Sequence, residues 1–188
     1  CYVRQKEQLG LGHAILTVKE IVGKEPLAIL LPDDIIDTTV PVLKQMLGVY
    51  EQYKTSILAV DRIANRDTVK YGIIKPKKVS GDIHQVLGLI EKPEPAQAPS
   101  NLGVVGRYIL MPEIFDALEV TPPGINQEIQ LTDALQLLLK QQPMYAYKFD
   151  GVRYDTGAPF GWLKAVVAFA LKQPDIEQEL REYLRHLL

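Results

Sequence analysis

The chain has 188 residues, 47% of them hydrophobic and 23% charged, with 21 basic and 23 acidic side chains and a net charge of −2. This is ordinary globular composition with enough apolar material for one core, and it gives no support to a polyanionic partner such as nucleic acid. The one cysteine, Cys1, excludes an internal disulfide framework and a zinc site built on cysteines, so a reducing, cytoplasmic compartment is expected.

No apolar run is long enough to span a bilayer, and no membrane partner is expected. The opening Cys1-Tyr2-Val3-Arg4-Gln5-Lys6 has neither Met nor the apolar stretch of a secretory signal, so the chain is expected to begin inside a longer gene product.

Apolar residues at helical spacing predict a helix over residues 12–22, with Gly23 at its C-cap. Residues 26–32 form a short apolar run closed by Pro32-Asp33-Asp34, which reads as a strand buried on both faces. An amphipathic helix follows over 39–53, with Pro41 near its first turn, and then a strand over 56–60. Strand, helix and strand in that order predict a parallel α/β unit. Short strands are predicted over 69–74, 86–90 and 102–110, with a proline-rich loop at 92–99 inside the domain. Helices over 112–118 and 132–141, a strand over 144–149, a helix over 159–171 and a tail helix over 175–187 complete the chain. Residues 1–188 read as one α/β domain, of which 174–188 form the tail.

Five segments have residue types suited to chemistry. Gly10 and Gly12, flanking Leu11 just before a helix, let a backbone approach a ligand closely, or simply make a turn. Gln5 can read a base edge or sit on the surface. Asp33 lies at the carboxyl end of a strand, where open α/β sheets bind ligands, and can hold Mg²⁺; the alternative is a capping role, which suits Asp34 and Asp37 better. Glu91 and Lys92 can accept from sugar hydroxyls and meet a phosphate, but only if the strand bends at Pro93, because neighbours on a strand face opposite sides. Otherwise they are a solvated pair. Gly103 and Gly106 mark close approach or a bulge. Asp155 is either a second metal-facing carboxylate or a cap for the helix after Pro159. The chain has no G-x-S-x-G elbow, no G-x-x-x-x-G-K-[ST] loop and no metal-ligand spacing among its three histidines.

The order of these segments is more specific than any one of them. Arg4-Gln5, Gly10-Leu11-Gly12-His13-Ala14, Leu31-Pro32-Asp33, Tyr71-Gly72-Ile73, Glu91-Lys92-Pro93, Pro99-Ser100-Asn101-Leu102, Val105-Gly106-Arg107-Tyr108, Glu128-Ile129-Gln130-Leu131-Thr132-Asp133-Ala134 and Tyr154-Asp155-Thr156-Gly157 follow one another along the chain. This series resembles the bacterial UTP–glucose-1-phosphate uridylyltransferases. The Glu128–Ala134 and Pro99–Tyr108 strings separate that family from the related thymidylyltransferases.

The resemblance implies a Rossmann-like nucleotidyltransferase fold with a mixed central sheet, its amino-terminal strands missing. It implies the reaction of UTP with glucose 1-phosphate to give UDP-glucose and pyrophosphate, with Mg²⁺, in a homo-oligomer. By the same resemblance, Gln5 and the Gly10 backbone contact uracil. Asp33 holds the metal, with Asp155 beside it. Gly72, Glu91 and the backbone near Val104 hold the glucose hydroxyls, and Lys92 meets the sugar phosphate. The family opens with a glycine-rich phosphate loop that this chain does not contain. The chain is therefore expected to have little transferase activity by itself and lowered stability. A binding-only UDP-sugar module is the alternative.

Overall fold

The computed structural model describes residues 1–187, the side chain of Ile125 excepted. They form two compact units, one of Cys1–Leu30 with Val40–Phe149 and one of Leu31–Thr39 with the chain from Asp150 onward.

The first unit opens with two short helices, α1 (Gly10–Leu16) and α2 (Lys19–Val22), where one helix is predicted. Thr17 lies at the break, and its hydroxyl donates to the Ala14 carbonyl at 2.6 Å, a local bond that competes with the helical ladder. Gly23 follows α2 at a φ of 65°, in the capping place its sequence position suggests. Next come β1 (Leu27–Leu30), α3 (Val42–Tyr53) and β3 (Ile57–Arg62), with β2 (Asp34–Asp37) belonging to the second unit. The hairpin of β4 (Gly72–Ser80) and β5 (Ile83–Glu91) leads to β6 (Leu102–Leu110), then α4 (Ile114–Glu119), α5 (Leu131–Leu138) and β7 (Tyr145–Lys148).

The sheet is mixed, in the order β1-β6-β3-β7-β5-β4. Among the described residues, only β3 and β7 pair in parallel. The predicted β1-helix-β3 unit therefore does not place its strands side by side: β6 lies between them, antiparallel to both. Eight of the nine residues of β6 are buried, as its unbroken apolar run requires. Ile57 to Val60 and Ile73 to Ile74 are fully buried, and α5 packs on β5 and α4 to close one side of this core. Pro76 sits at a register shift between β4 and β5, where its missing N–H costs no ladder bond.

The expectation that the strand over 26–32 is buried on both faces is wrong. β1 begins the sheet order, and burial alternates along it: Ala28 is exposed and Leu30 is 52% exposed. Beside it runs an apolar groove of about 450 Å³, lined by β1 together with Cys1, Leu11, Val18 and Val22. The run is apolar enough for a central strand, but among the described residues no strand pairs with its outer edge.

The second unit contains two strands that the residue pattern did not reveal, β2 (Asp34–Asp37) and β8 (Val152–Asp155), paired antiparallel with Asp34 opposite Asp155. It continues into α6 (Pro159–Ala170) and α7 (Glu177–Leu187). Pro159 occupies the first turn of α6, where a proline fits without loss. The predicted tail helix is present from Glu177, held on its exposed face by the Arg181–Glu177 pair at 2.9 Å; Leu188, the last residue of the predicted tail, lies outside the described residues. No described helix is long and apolar enough to cross a membrane.

Candidate functional site

In the first unit, the glycine-bearing first turn of α1 is built against the Glu128–Gln130 segment. The Gly12 amide donates to the Ile129 carbonyl at 2.9 Å, and the Ile129 amide donates to the Leu9 carbonyl at 2.8 Å. A Cβ at Gly12 would lie 2.5 Å from that Ile129 oxygen, and one at Gly10 would lie 2.7 Å from Glu128 Cβ. Gly10 also has a φ of 88°, open to glycine and costly for other residues. Gln5 folds back on the turn, its Nε2 donating to the Gly10 carbonyl at 3.1 Å and lying 2.9 Å from His13 Nδ1. An amide nitrogen only donates, so His13 Nδ1 is the acceptor. Gln5 and Gly10 are thus brought together.

The far end of the same segment reaches a second cluster, where β4 starts and β5 ends. Gly72 pairs with Glu91, and neighbouring Ile73 pairs with Gly103 of β6, which brings Val104 alongside. Glu91 is largely buried, with 14% of its side chain exposed. Lys92 adopts a φ of 45°, a left-handed conformation that is unfavourable for a residue with Cβ and more so before proline. Its amide donates to the Tyr71 carbonyl at 3.0 Å, and the one hydroxyl hydrogen of buried Thr68 is shared between the Pro93 and Asn65 carbonyls, each 3.0 Å away. The turn brings two consecutive side chains to the same side, with Lys92 Nζ 3.6 Å from Glu91 Oε1. This is the bend that the Glu91-Lys92-Pro93 sequence requires for joint action. Ser100 anchors the strand behind, its hydroxyl donating to the Ile74 carbonyl at 2.7 Å and accepting from the Leu102 amide at 3.1 Å.

The second unit brings Asp33 and Asp155 together. A Cβ placed on Gly157 would lie 3.1 Å from Asp33 Oδ2 and 3.3 Å from Asp155 Oδ1, so both carboxylates border the space that this glycine leaves open. Thr156 fixes the arrangement: its amide and hydroxyl both donate to the Asp33 carbonyl, at 2.7 and 2.9 Å. Neither acid caps a helix. The N-cap of α6 is Ala158 and that of α3 is Pro41, and neither helix receives a side-chain cap. Asp34, assigned to capping or the surface from sequence, is buried and ion-paired with Arg153, which also lies 3.4 Å from Asp155 Oδ2.

Arg153 was not singled out from sequence. The signal was available in its place two residues before Asp155, since alternate residues on a strand share a face. Two hard carboxylate oxygens facing one open space suit Mg²⁺, which retains waters and shares phosphate oxygens rather than filling a protein cage. Among the described residues, no group of three or more His, Cys, Asp or Glu side chains is placed to hold a metal ion by itself.

Comparison with known proteins places this arrangement. The model of the nucleotidyl transferase family matches residues 1–170. The UTP–glucose-1-phosphate uridylyltransferase of Staphylococcus epidermidis is 46% identical over 186 residues, which are 99% of this chain and 65% of that protein. The enzyme of the same name from Staphylococcus haemolyticus is 47% identical over the same shares. The crystal structure of a UDP-glucose pyrophosphorylase complexed with UDP-glucose superposes with a TM-score of 0.90 at 44% identity, over 92% of this chain and 66% of that one. The chain thus spans about 65% of the length of the curated relatives it matches. From the family match over residues 1–170, the chain belongs to the nucleotidyl transferase family.

Proposed function

We propose that the first unit supplies sugar-phosphate-binding residues, and the second metal-binding residues, of a UTP–glucose-1-phosphate uridylyltransferase. The observation that carries this reading is the corner at Lys92, where a left-handed turn sets a cation and a carboxylate side by side next to Gly72. That pairing of charges suits a sugar phosphate, whose hydroxyls donate to a carboxylate while its phosphate meets an ammonium. The similarity to proteins named for this reaction favours uridylyl transfer.

In the reaction, a phosphate oxygen of glucose 1-phosphate attacks the α-phosphorus of UTP, a new P–O bond forms, and the bond to the β-phosphate oxygen breaks to release pyrophosphate. The attacking oxygen is already ionised at neutral pH, so no general base is required. The two polyanions repel, and the work of the protein is to align them and offset charge. Lys92 contributes a positive charge to the sugar phosphate and Glu91 orients the ring. Gln5 and the Gly10 backbone receive uracil, and Gly72 and Val104 present backbone to the sugar. Asp33 and Asp155 would hold Mg²⁺, which when bound draws charge from the phosphate oxygens.

Calorimetric titration of the chain with glucose 1-phosphate, UDP-glucose and dTDP-glucose, with and without Mg²⁺, tests the reading. Expected are binding of glucose 1-phosphate that Lys92→Ala weakens, and a preference for UDP-glucose over dTDP-glucose. A chain that binds none of the three, or one that prefers the thymidine nucleotide, refutes it.

A further inference from the structure

The sugar-side cluster contains one more polar group. A Cβ on Gly72 would lie 2.8 Å from Thr132 Oγ1 and 3.2 Å from Glu91 Oε2, so a hydroxyl and a carboxylate oxygen flank the same point. Thr132 is the second residue of α5, whose N-cap is Gln130, and that helix receives no side-chain cap. The Thr132 hydroxyl forms no hydrogen bond with another described residue. Threonine is a modest helix former, so helix propensity alone does not call for it there. Its position follows from the backbone clasp four residues earlier: Glu128 and Ile129 are fixed on the Gly10–Gly12 turn, and the chain then runs into α5 beside β4.

We infer that Thr132 is a substrate-contacting residue, its hydroxyl donating to a hydroxyl oxygen of the sugar phosphate while that same sugar hydroxyl donates to Glu91. The inference rests on the sugar-phosphate reading of the Gly72–Glu91–Lys92 corner and deepens it. The Glu128–Ala134 string, to which sequence gave no chemical role, then has two: its start holds the glycine turn, and Thr132 completes the sugar site. A carboxylate only accepts and an ammonium only donates, whereas a threonine hydroxyl does both. The pair Glu91 and Thr132 therefore recognises a group that is donor and acceptor at once, which is a hydroxyl.

Binding of glucose 1-phosphate, and of its 2-, 3-, 4- and 6-deoxy analogues, to the chain and to Thr132→Val and Thr132→Ser tests this. Valine keeps the shape without the hydroxyl, and serine keeps the hydroxyl. Thr132→Val is expected to weaken binding of the parent ligand roughly five- to tenfold, the effect of one hydrogen bond. Thr132→Ser is expected to restore it. For one deoxy analogue the loss in Thr132→Val should vanish, which identifies the sugar hydroxyl involved and is a result that a purely structural role would not produce. Equal binding by the chain and Thr132→Val overturns the assignment of Thr132 alone. Failure of the unsubstituted chain to bind glucose 1-phosphate overturns the sugar-phosphate reading and this inference with it.

Discussion

Replacing Gly12 by alanine should destabilise the chain although the substitution favours helix. The new Cβ would lie 2.5 Å from the Ile129 carbonyl oxygen, 2.8 Å from Leu118 Cδ2 and 2.9 Å from Ile129 Cγ2. Leu118 can move aside. The carbonyl cannot, because its own residue is bonded through its amide to Leu9. Ordinary contact begins near 3.4 Å, so the turn and the Glu128–Gln130 segment must separate by close to an ångström. That breaks the hydrogen bond from the Gly12 amide to the Ile129 carbonyl at a buried site, costing about 1–3 kcal/mol, and adds overpacking of about 1–3 kcal/mol. Alanine recovers about 0.5–1 kcal/mol as the better helix former. The net loss is about 1–5 kcal/mol, or a fall in melting temperature of about 2–20 °C for a chain of this size. Gly48 is the control: it lies inside α3, is exposed and has nothing within 4 Å of its missing Cβ. Gly48→Ala should raise stability by about 0.5–1 kcal/mol. Urea and thermal denaturation of both variants measure the contrast. A Gly12→Ala chain as stable as Gly48→Ala would refute the backbone clasp as the reason for this glycine.

Three further outcomes follow from the second unit and from α5. Arg153→Ala leaves Asp34 buried without its main counter-charge and should cost about 3–5 kcal/mol in a urea titration; a loss below about 1 kcal/mol would show the pair to be dispensable. Gly157→Ala puts a methyl between the two carboxylates and should weaken divalent-cation binding roughly tenfold, read by Mn²⁺ relaxation enhancement, whereas unchanged affinity would mean that Asp33 and Asp155 do not act on one ion. Burial raises the Asp133 pKa above the usual carboxylate value of 3.8. Its folded form therefore prefers the proton, and stability falls as pH rises from 3.8 through the raised value, leaving a constant cost at neutral pH. Asp133→Asn should raise the melting temperature at pH 7 and change it little near pH 3.5. An equal shift at both values would exclude titration as the cause.

β3 and β6 were legible in the sequence because each carries a continuous apolar run, whereas β4, with three lysines and Pro76, was expected over 69–74 and runs over 72–80. The 102–110 run matches β6 residue for residue, since a strand buried on both faces leaves no ambiguity of period. The order of strands was not legible: chain order suggests that β1 and β3 are neighbours, and only the tertiary structure shows β6 inserted between them. β2 and β8 were missed because each has four residues, half of them charged in β2 and in β8 alike, so neither alternation nor an apolar run signals a strand. In the site, the Glu91-Lys92-Pro93 string announced a needed bend, and the fold supplies it through the left-handed Lys92. Thr132 was not legible as a site residue because its meaning lies in a partner from another element, Gly72, whereas Arg153 was passed over although it stands two residues before Asp155 on the same strand face.

Cys1 is the only cysteine of the chain, it is exposed, and it borders the apolar groove along β1. A thiol-reactive fluorophore therefore attaches at one place, without any substitution, beside this groove. Such a dye sits in a water-accessible groove and should shift its emission to the blue whenever a peptide strand or a second molecule excludes water there. The chain thus provides its own optical reporter for occupancy of that groove, readable at concentrations far below those at which association would be seen by scattering.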